Sequence, residues 1–226
     1  INTSKAIMNF NIIAGIELGC FYDQEEVHIL GYFIDYNNTE LLNELDKLKT
    51  SRWKRGIEII KKLNDLGIKL NMDSILSEAE ASGFIGRALI ARKLVSEGYV
   101  NSIKEAFDKY LDVGKPAYVK RYQLSIKDTI DLIHGVDGIS VLAHPGLLSN
   151  KDIMTFCVKQ GIMGIECYHT KHTKEDEKYF IKFAIENNLI ITGGSDFHGD
   201  EDILGSRFIN LEECAIFKEL IQNVER

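Results

Sequence analysis

The sequence predicts an α/β fold: βα units forming a parallel sheet or barrel, interrupted by a block of helices. Three observations carry this. Short apolar runs alternate with longer segments in which apolar residues recur at helical spacing. Several of the runs carry one Glu, His or Asp at an end, where α/β enzymes keep their chemistry. Residues from about 41 to 122 contain no such run and read as helix.

In chain order, Ile1-Asn2-Thr3-Ser4-Lys5-Ala6-Ile7 reads as the tail of a helix, followed by a strand near 11–18 and a second near 27–34. Leu41, Leu45, Leu48, Trp53, Ile57, Ile60 and Leu63 then set a helix over about 40–66, which Gly67 closes. Asp73 is expected to cap the next helix, and Gly86 to Glu97 forms another that ends at Gly98. Ser102-Ile103-Lys104-Glu105 reads as a capping box opening a helix to Leu111, and Ser125 caps a helix to His134. Strands near 139–143, 163–167, 189–192 and 207–210 then alternate with helices near 150–160, 174–187 and 212–224. The helical block divides the chain into 1–40 with 123–226, and 41–122, an insertion expected to cover the mouth of the active site.

A chain of 226 residues can bury a full core and carry one inserted subdomain. No apolar run approaches the roughly 18 residues of a membrane span, and no signal-peptide pattern occurs. The net charge of −7 argues against an extended DNA-binding surface, but leaves room for a nucleotide or a single RNA end. Cys20, Cys157, Cys167 and Cys214 show no CxxC pairing and read as reduced thiols of a cytoplasmic protein. Cys20 and Cys167 lie near strand ends, with core packing as their expected role.

The chemistry concentrates in a few segments. In Gly193-Gly194-Ser195-Asp196-Phe197-His198-Gly199, Asp196 and His198 stand two apart after a strand, so a carboxylate and an imidazole project together. Gly138-Ile139-Ser140-Val141-Leu142-Ala143-His144-Pro145-Gly146 is a strand that ends in His144 and is stopped at once by Pro145. Glu17 closes one apolar run and His28 opens another. Taken singly each has a bland reading, a solvated charge or a core histidine. Together they are a carboxylate and imidazole set suited to Zn, Mn or Fe.

Two features concern substrate. Arg87 begins a helix, whose free N-terminus favours anions. Gly114-Lys115-Pro116-Ala117-Tyr118-Val119-Lys120-Arg121 is a basic loop that would set Lys115 and Arg121 over phosphate and Tyr118 beside a base; its plain alternative is a solvated connector.

Gly15-Ile16-Glu17, Val27-His28-Ile29-Leu30-Gly31-Tyr32, Leu142-Ala143-His144-Pro145-Gly146, Gly164-Ile165-Glu166 and Gly193 to Gly199 together resemble the PHP (polymerase and histidinol phosphatase) family. Gly86-Arg87, Ala91-Arg92-Lys93-Leu94-Val95 and Ala106 to Leu111 point to its TrpH-like branch of nucleotide phosphatases and 5′-3′ exoribonucleases. The resemblance implies a distorted (β/α)7-type PHP barrel with an inserted helical subdomain, and up to three divalent ions. It places Glu17 as a bridging ligand, His28 and His144 with it on one ion, Asp196 completing another, and His198 on the third. Glu17, His144, Asp196 and His198 would then carry the catalysis. It also implies substrate contact by His169 or His172, and support of a ligand His by Glu166.

The family's His-x-His and Thr-Asp-His-Asp motifs do not occur in this sequence, so the barrel is expected to be N-terminally incomplete, by on the order of 40–60 residues. On that view two of the three ion sites lack ligands, and the 226 residues alone are expected to have little activity. Ala14 stands where the family often has Pro, and Ala88-Leu89 where it often has Pro-His.

The leading expectation is a metal-dependent hydrolase acting on phosphate esters of nucleotides or short RNA. A non-catalytic PHP binding or scaffold module, and another metal-dependent hydrolase on a barrel, remain as alternatives. Substrate, metal identity and oligomeric state are left open by the sequence.

Overall fold

The structure is a computed structural model in which residues 12–23, 25–199, 203–210 and 214–224 are described. The expected helix tail at residues 1–7, the first residue of the 11–18 strand and the start of the 212–224 helix lie outside the described residues. The chain divides into two compact units, Ile1–Leu41 with Gln123–Arg226, and Leu42–Tyr122.

Among its described residues the first unit has six strands: β1 (Gly15–Tyr22), β2 (Glu25–Tyr32), β3 (Leu124–Ser125), β4 (Ile139–Leu142), β5 (Gly164–His169) and β6 (Ile190–Gly194). The helices, in chain order, are α1 (Thr39–Asp65), α2 (Met72–Ser82), α3 (Arg87–Ser96), α4 (Ile103–Ala106), α5 (Ile126–His134), α6 (Asp152–Lys159), α7 (Lys174–Glu186) and α8 (Ala215–Val224).

The strands form one sheet in the order β3-β1-β2-β4-β5-β6. Pairs β1–β3, β4–β5 and β5–β6 are parallel, whereas β1–β2 and β2–β4 are antiparallel. This corrects the expected parallel sheet: the fold is mixed α/β, and among the described residues the sheet does not close into a barrel. The reason is local. Residues 23 and 24 alone join β1 to β2, and a parallel neighbour needs a crossover of about a dozen residues or more.

Two further expectations change. Residues 207–210 form no strand, and Phe208 is 73% exposed. β3, by contrast, is too short for any periodic signal and exists because Cys20 and Phe21 offer it a pairing edge.

Helix α5 covers one face of this sheet. Ser125 and Asp128 form a reciprocal capping box at its start, and Ile126, Ile130 and Ile133 are buried. Gly31 makes room for it, since a Cβ there would lie 3.2 Å from Ile133. On the opposite face Leu30 and Tyr32 of β2 and Ile139 and Val141 of β4 pack with Phe217 and Leu220 of α8. Helix α7 lies on β5 and β6.

The second unit has its own core, with Ile60, Leu63, Ile75, Ile90, Leu94 and Leu111 fully buried. Each such side chain contributes about 1.5–3 kcal/mol. Gly67 and Gly98 follow α1 and α3 in the left-handed conformation, at φ 83° and 77°. The cap of α2 is Asn71 rather than Asp73, its Oδ1 accepting from the Ser74 amide at 3.0 Å. Ser102 caps α4 as expected, but the Glu105 carboxylate accepts from Asn101 N instead of closing the box on Ser102. The helix runs four residues and continues as a wider π turn over Phe107–Leu111.

Candidate metal centre

The hairpin register brings the first two functional side chains together. Glu17 pairs with Leu30 and Gly19 with His28, so Glu17 and His28 are diagonal neighbours on one face. Glu17 Oε1 lies 2.6 Å from His28 Nδ1. Both stand inside strands rather than at strand ends, which corrects the sequence reading of their position. What puts His28 at the working edge is strand direction. β2 runs against β4, so its first half lies beside the end of β4, and the Ala143 amide donates to the His28 carbonyl at 3.0 Å.

His144 follows with φ 27° and ψ 56°, a left-handed conformation that costs a non-glycine residue about 1 kcal/mol or more. Pro145 then opens a single 3-10 turn. His144 Nε2 lies 3.1 Å from His28 Nδ1 and 3.5 Å from Glu17 Oε1. Glu166 holds this turn, its Oε2 accepting from the His144 backbone amide at 2.9 Å.

The three donor atoms of Glu17, His28 and His144 therefore lie within 4.8 Å of one another. Three lone-pair donors that converge repel unless a cation or a proton sits among them. Hydrogen bonds with His144 and His28 hold the Glu17 carboxyl well below the usual carboxylate range. Glu17, and then Glu26, raise the His28 imidazole to about 9. The donor set also fits a metal. Ligand atoms about 2.0–2.1 Å from one ion stand roughly 3 Å apart, as these do, and two imidazoles with a carboxylate suit a borderline divalent ion. Burial meanwhile pushes the Glu166 carboxyl up to about 7.

Next to the triad stands His169, the last residue of β5, its ring centroid 5.5 Å from that of His144. Its Nδ1 accepts from the Lys171 amide at 3.1 Å, so Nε2 carries the proton of the neutral ring. That Nε2 is buried without a hydrogen-bond partner and lies 3.5 Å from Asp196 Oδ2. Burial, then His172 and His144, push the His169 pKa down, so the ring stays a neutral donor. Asp196 has φ 50°, the second left-handed non-glycine residue at the site.

His198 is set against Asp196 rather than the triad, its side chain 71% exposed and its Nδ1 3.3 Å from Asp196 Oδ1 and 2.7 Å from the Asp196 carbonyl. Of the five expected ligands the structure thus gathers Glu17, His28 and His144 into one cluster, sets Asp196 beside it across His169, and leaves His198 at the surface. His172 stands against the loop after His144. It is buried, its Nδ1 donates to the Cys167 carbonyl at 2.9 Å, and its Nε2 accepts from the Gly146 amide at 3.1 Å. Both nitrogens are used, so in this structure the ring props the loop after His144.

In the helical unit, Arg87 and Arg121 line one cavity together with Arg52 and Arg55. Lys115 is exposed and does not line it, nor does Tyr118, whose carbonyl accepts from Lys62 Nζ at 2.7 Å. Arg52 and Arg55 were missed in the sequence, although their spacing of three already puts them on one face of the predicted helix. Cys20 and Cys167 are free, fully buried and pushed up to about 12 by burial, so they pack the core.

No family model matches the chain. The chain is 33% identical over 197 residues to the 5′-3′ exoribonuclease of Haemophilus influenzae, covering 84% of this chain and 71% of that one. It is 32% identical over 190 residues to the 3′,5′-nucleoside bisphosphate phosphatase of Chromobacterium violaceum, covering 81% and 66%. Among solved structures, an amidohydrolase from Chromobacterium violaceum with bound sulfate superposes with a TM-score of 0.66 at 29% identity, over 89% of this chain and 73% of that one. A protein from Bifidobacterium adolescentis described as a metal-dependent phosphoesterase gives a TM-score of 0.69 over 94% and 77%. At 23% identity that last likeness carries the fold alone.

Proposed function

From the premise that this chain belongs to the PHP-type family of metal-dependent phosphoesterases, hydrolases acting on ester bonds, we propose that it hydrolyses phosphate esters of nucleotides or short RNA. The reaction is that of a 3′,5′-nucleoside bisphosphate phosphatase or of a 5′-3′ exoribonuclease, the activities its relatives are named for. The observation that carries this reading is the convergence of Glu17, His28 and His144 on one point.

In this reading those three residues hold one divalent ion, Mn, Zn or Fe, all of which accept such a donor set. A bound ion acidifies water and neutralises phosphoryl oxygens. The remaining work belongs to the chain. Glu166 fixes the turn that presents His144, and His172 braces the same loop through Gly146. His169 offers its Nε2 proton to Asp196 or to a phosphoryl oxygen. Asp196 and His198 serve further ions, and Arg87 and Arg121 bind substrate phosphate, with Lys115 and Tyr118 as outer contacts. The free buried thiols support a reducing compartment, the cytoplasm.

The test is turnover by the full-length protein of adenosine 3′,5′-bisphosphate and of a 5′-phosphorylated oligoribonucleotide, with added Mn2+ and with EDTA. Phosphate release that needs metal, and that falls by about 100-fold or more in Asp196→Ala and in His144→Ala, is the expected result. Turnover that survives EDTA, or that is unchanged in both variants, would sink the reading.

A further inference from the structure

Strand β2 opens with two consecutive acids, and the pleat sends them to opposite faces of the sheet. Glu25 accepts from the amides of Ser149 and Asn150, the latter at 3.1 Å, and so ties down the stretch beyond the turn that follows His144. Glu26 shares the face of His28, two residues before it, and is not one of the converging ligands.

The two ring nitrogens of His28 have different surroundings. Nδ1 meets the cluster, 2.6 Å from Glu17 Oε1 and 3.1 Å from His144 Nε2. Nε2 stands 3.8 Å from Glu26 Oε1. Among the described residues Glu26 is the one carboxylate paired with that nitrogen.

The tautomer follows from this division. A neutral imidazole that gives its Nδ1 lone pair to an ion keeps its proton on Nε2. Ligand histidines nearly always donate that proton to a carboxylate, a carbonyl or water. The ring turns about a broad, soft torsion, so an acceptor on the Nε2 side decides which nitrogen faces the ion. At 3.8 Å the contact is a charge pair and not yet a hydrogen bond, and the Glu26 side chain, 45% exposed, has the freedom to close it.

The neighbouring strand leaves room for the carboxylate. Gly19 of β1 is the register partner of His28. A Cβ on Gly19 would lie 3.1 Å from Glu26 Oε1 but 3.6 Å from His28 Cδ2. Only the first of these is tighter than ordinary van der Waals contact. The bare backbone at position 19 is therefore the floor on which the Glu26 head group rests beside the ring.

We propose that Glu26 is a positioning residue of the metal centre: it accepts from Nε2 of His28 so that Nδ1 is presented to the ion, with Gly19 leaving it the space to do so. The proposal rests on the function proposed above for the presence of the ion. Glu26 acts through His28 alone, and its own oxygens stay outside the ligand set.

The test measures Zn2+ affinity of the full-length protein by competition with a chromophoric chelator, and reads the His28 ring of the Zn2+ form by proton–nitrogen correlation NMR. Glu26→Ala is expected to weaken Zn2+ binding by about 10- to 100-fold. Glu26→Gln keeps an acceptor oxygen and is expected to recover part of that loss. In the wild-type spectrum Nε2 of His28 carries the proton and Nδ1 the ion; in Glu26→Ala that single signature is lost. Gly19→Ala displaces the carboxylate without removing a polar group, and should weaken binding by about threefold or more on its own and add nothing to Glu26→Ala. Circular dichroism of each metal-free variant checks that the fold is kept. Unchanged affinity in Glu26→Ala, equal losses in the Ala and Gln variants, or a wild-type His28 protonated on Nδ1 would overturn the proposal and leave the metal centre standing. A wild-type protein that binds no Zn2+ would overturn the metal centre, and this role of Glu26 with it.

Discussion

At the scale of single residues, the contact between Glu17 and His28 sets a pH window. Glu17 has its carboxyl lowered from 4.5, so its contribution to stability is present above 4.5 and is lost as the pH falls below. His28 is raised from 6.5 to about 9, so its contribution is full below 6.5 and is lost as the pH rises through about 9. The metal-free protein is therefore helped most between 4.5 and 6.5. Thermal melts in EDTA are expected to show a midpoint that declines from pH 6.5 to 9, with the decline flattened in His28→Gln; identical slopes in the two proteins would refute it. The same proton competes with an ion. Metal affinity is expected to rise up to about tenfold per pH unit towards pH 9, with about one proton released per ion in calorimetry, and pH-independent binding would exclude His28 as a ligand. Glu17, His28 and His144 were each legible in the sequence as polar residues on apolar runs. Their meeting was not, because it depends on a two-residue link and a pairing register that spacing alone does not reveal. The role of His172 was hidden for a related reason: only its two hydrogen bonds show that neither nitrogen is free.

At the scale of elements, what was local in the sequence was readable and what depended on a partner was not. The box of Ser125 with Asp128 and the left-handed glycines after α1 and α3 follow from a few adjacent residues. The strand expected at 207–210 failed because an apolar run needs an edge to pair with, and β3 was missed because the edge supplies what its two residues cannot. The contrast yields a paired prediction. Ser125→Ala removes a cap from α5, far in sequence from the ligands, and should cost about 1 kcal/mol with metal affinity unchanged. Gly146→Ala sets a Cβ 2.5 Å from the His172 ring, within the turn that carries His144. It should cost about 1–3 kcal/mol and also weaken metal binding, because the Gly146 amide can no longer reach His172 Nε2. Denaturant melts and metal titrations of the two variants separate the effects. Equal metal affinity in both would show that the loop is not what positions His144.

At the scale of the whole molecule, the chain keeps two kinds of charge chemistry in two compact units. Converging carboxylate and imidazole donors in the sheet unit suit a cation, and four arginines line one cavity of the helical unit. The sequence disclosed the first through its strand motifs, but it gave the sheet as parallel, because βα alternation after residue 123 outweighed the single hairpin before it. Of the arginines that line the cavity, Arg87 and Arg121 stood out in the sequence and Arg52 and Arg55 did not, because these two lie inside a long helix where a basic stripe reads as solvated surface. The two sites can be told apart in one experiment. A ligand at 100 times its Kd stabilises what it binds by about 2.7 kcal/mol, which slows hydrogen exchange wherever opening would break the site. Mn2+ is expected to protect the amides of β2, β4 and the turn Pro145–Leu147, since those segments carry His28 and His144. Phosphate added without metal is expected to protect the first turn of α3 and residues 119–121 instead, where Arg87 and Arg121 sit. Phosphate protection that appears on the sheet segments and spares α3 would move the anion to the metal centre, and the arginine cluster would then need another explanation.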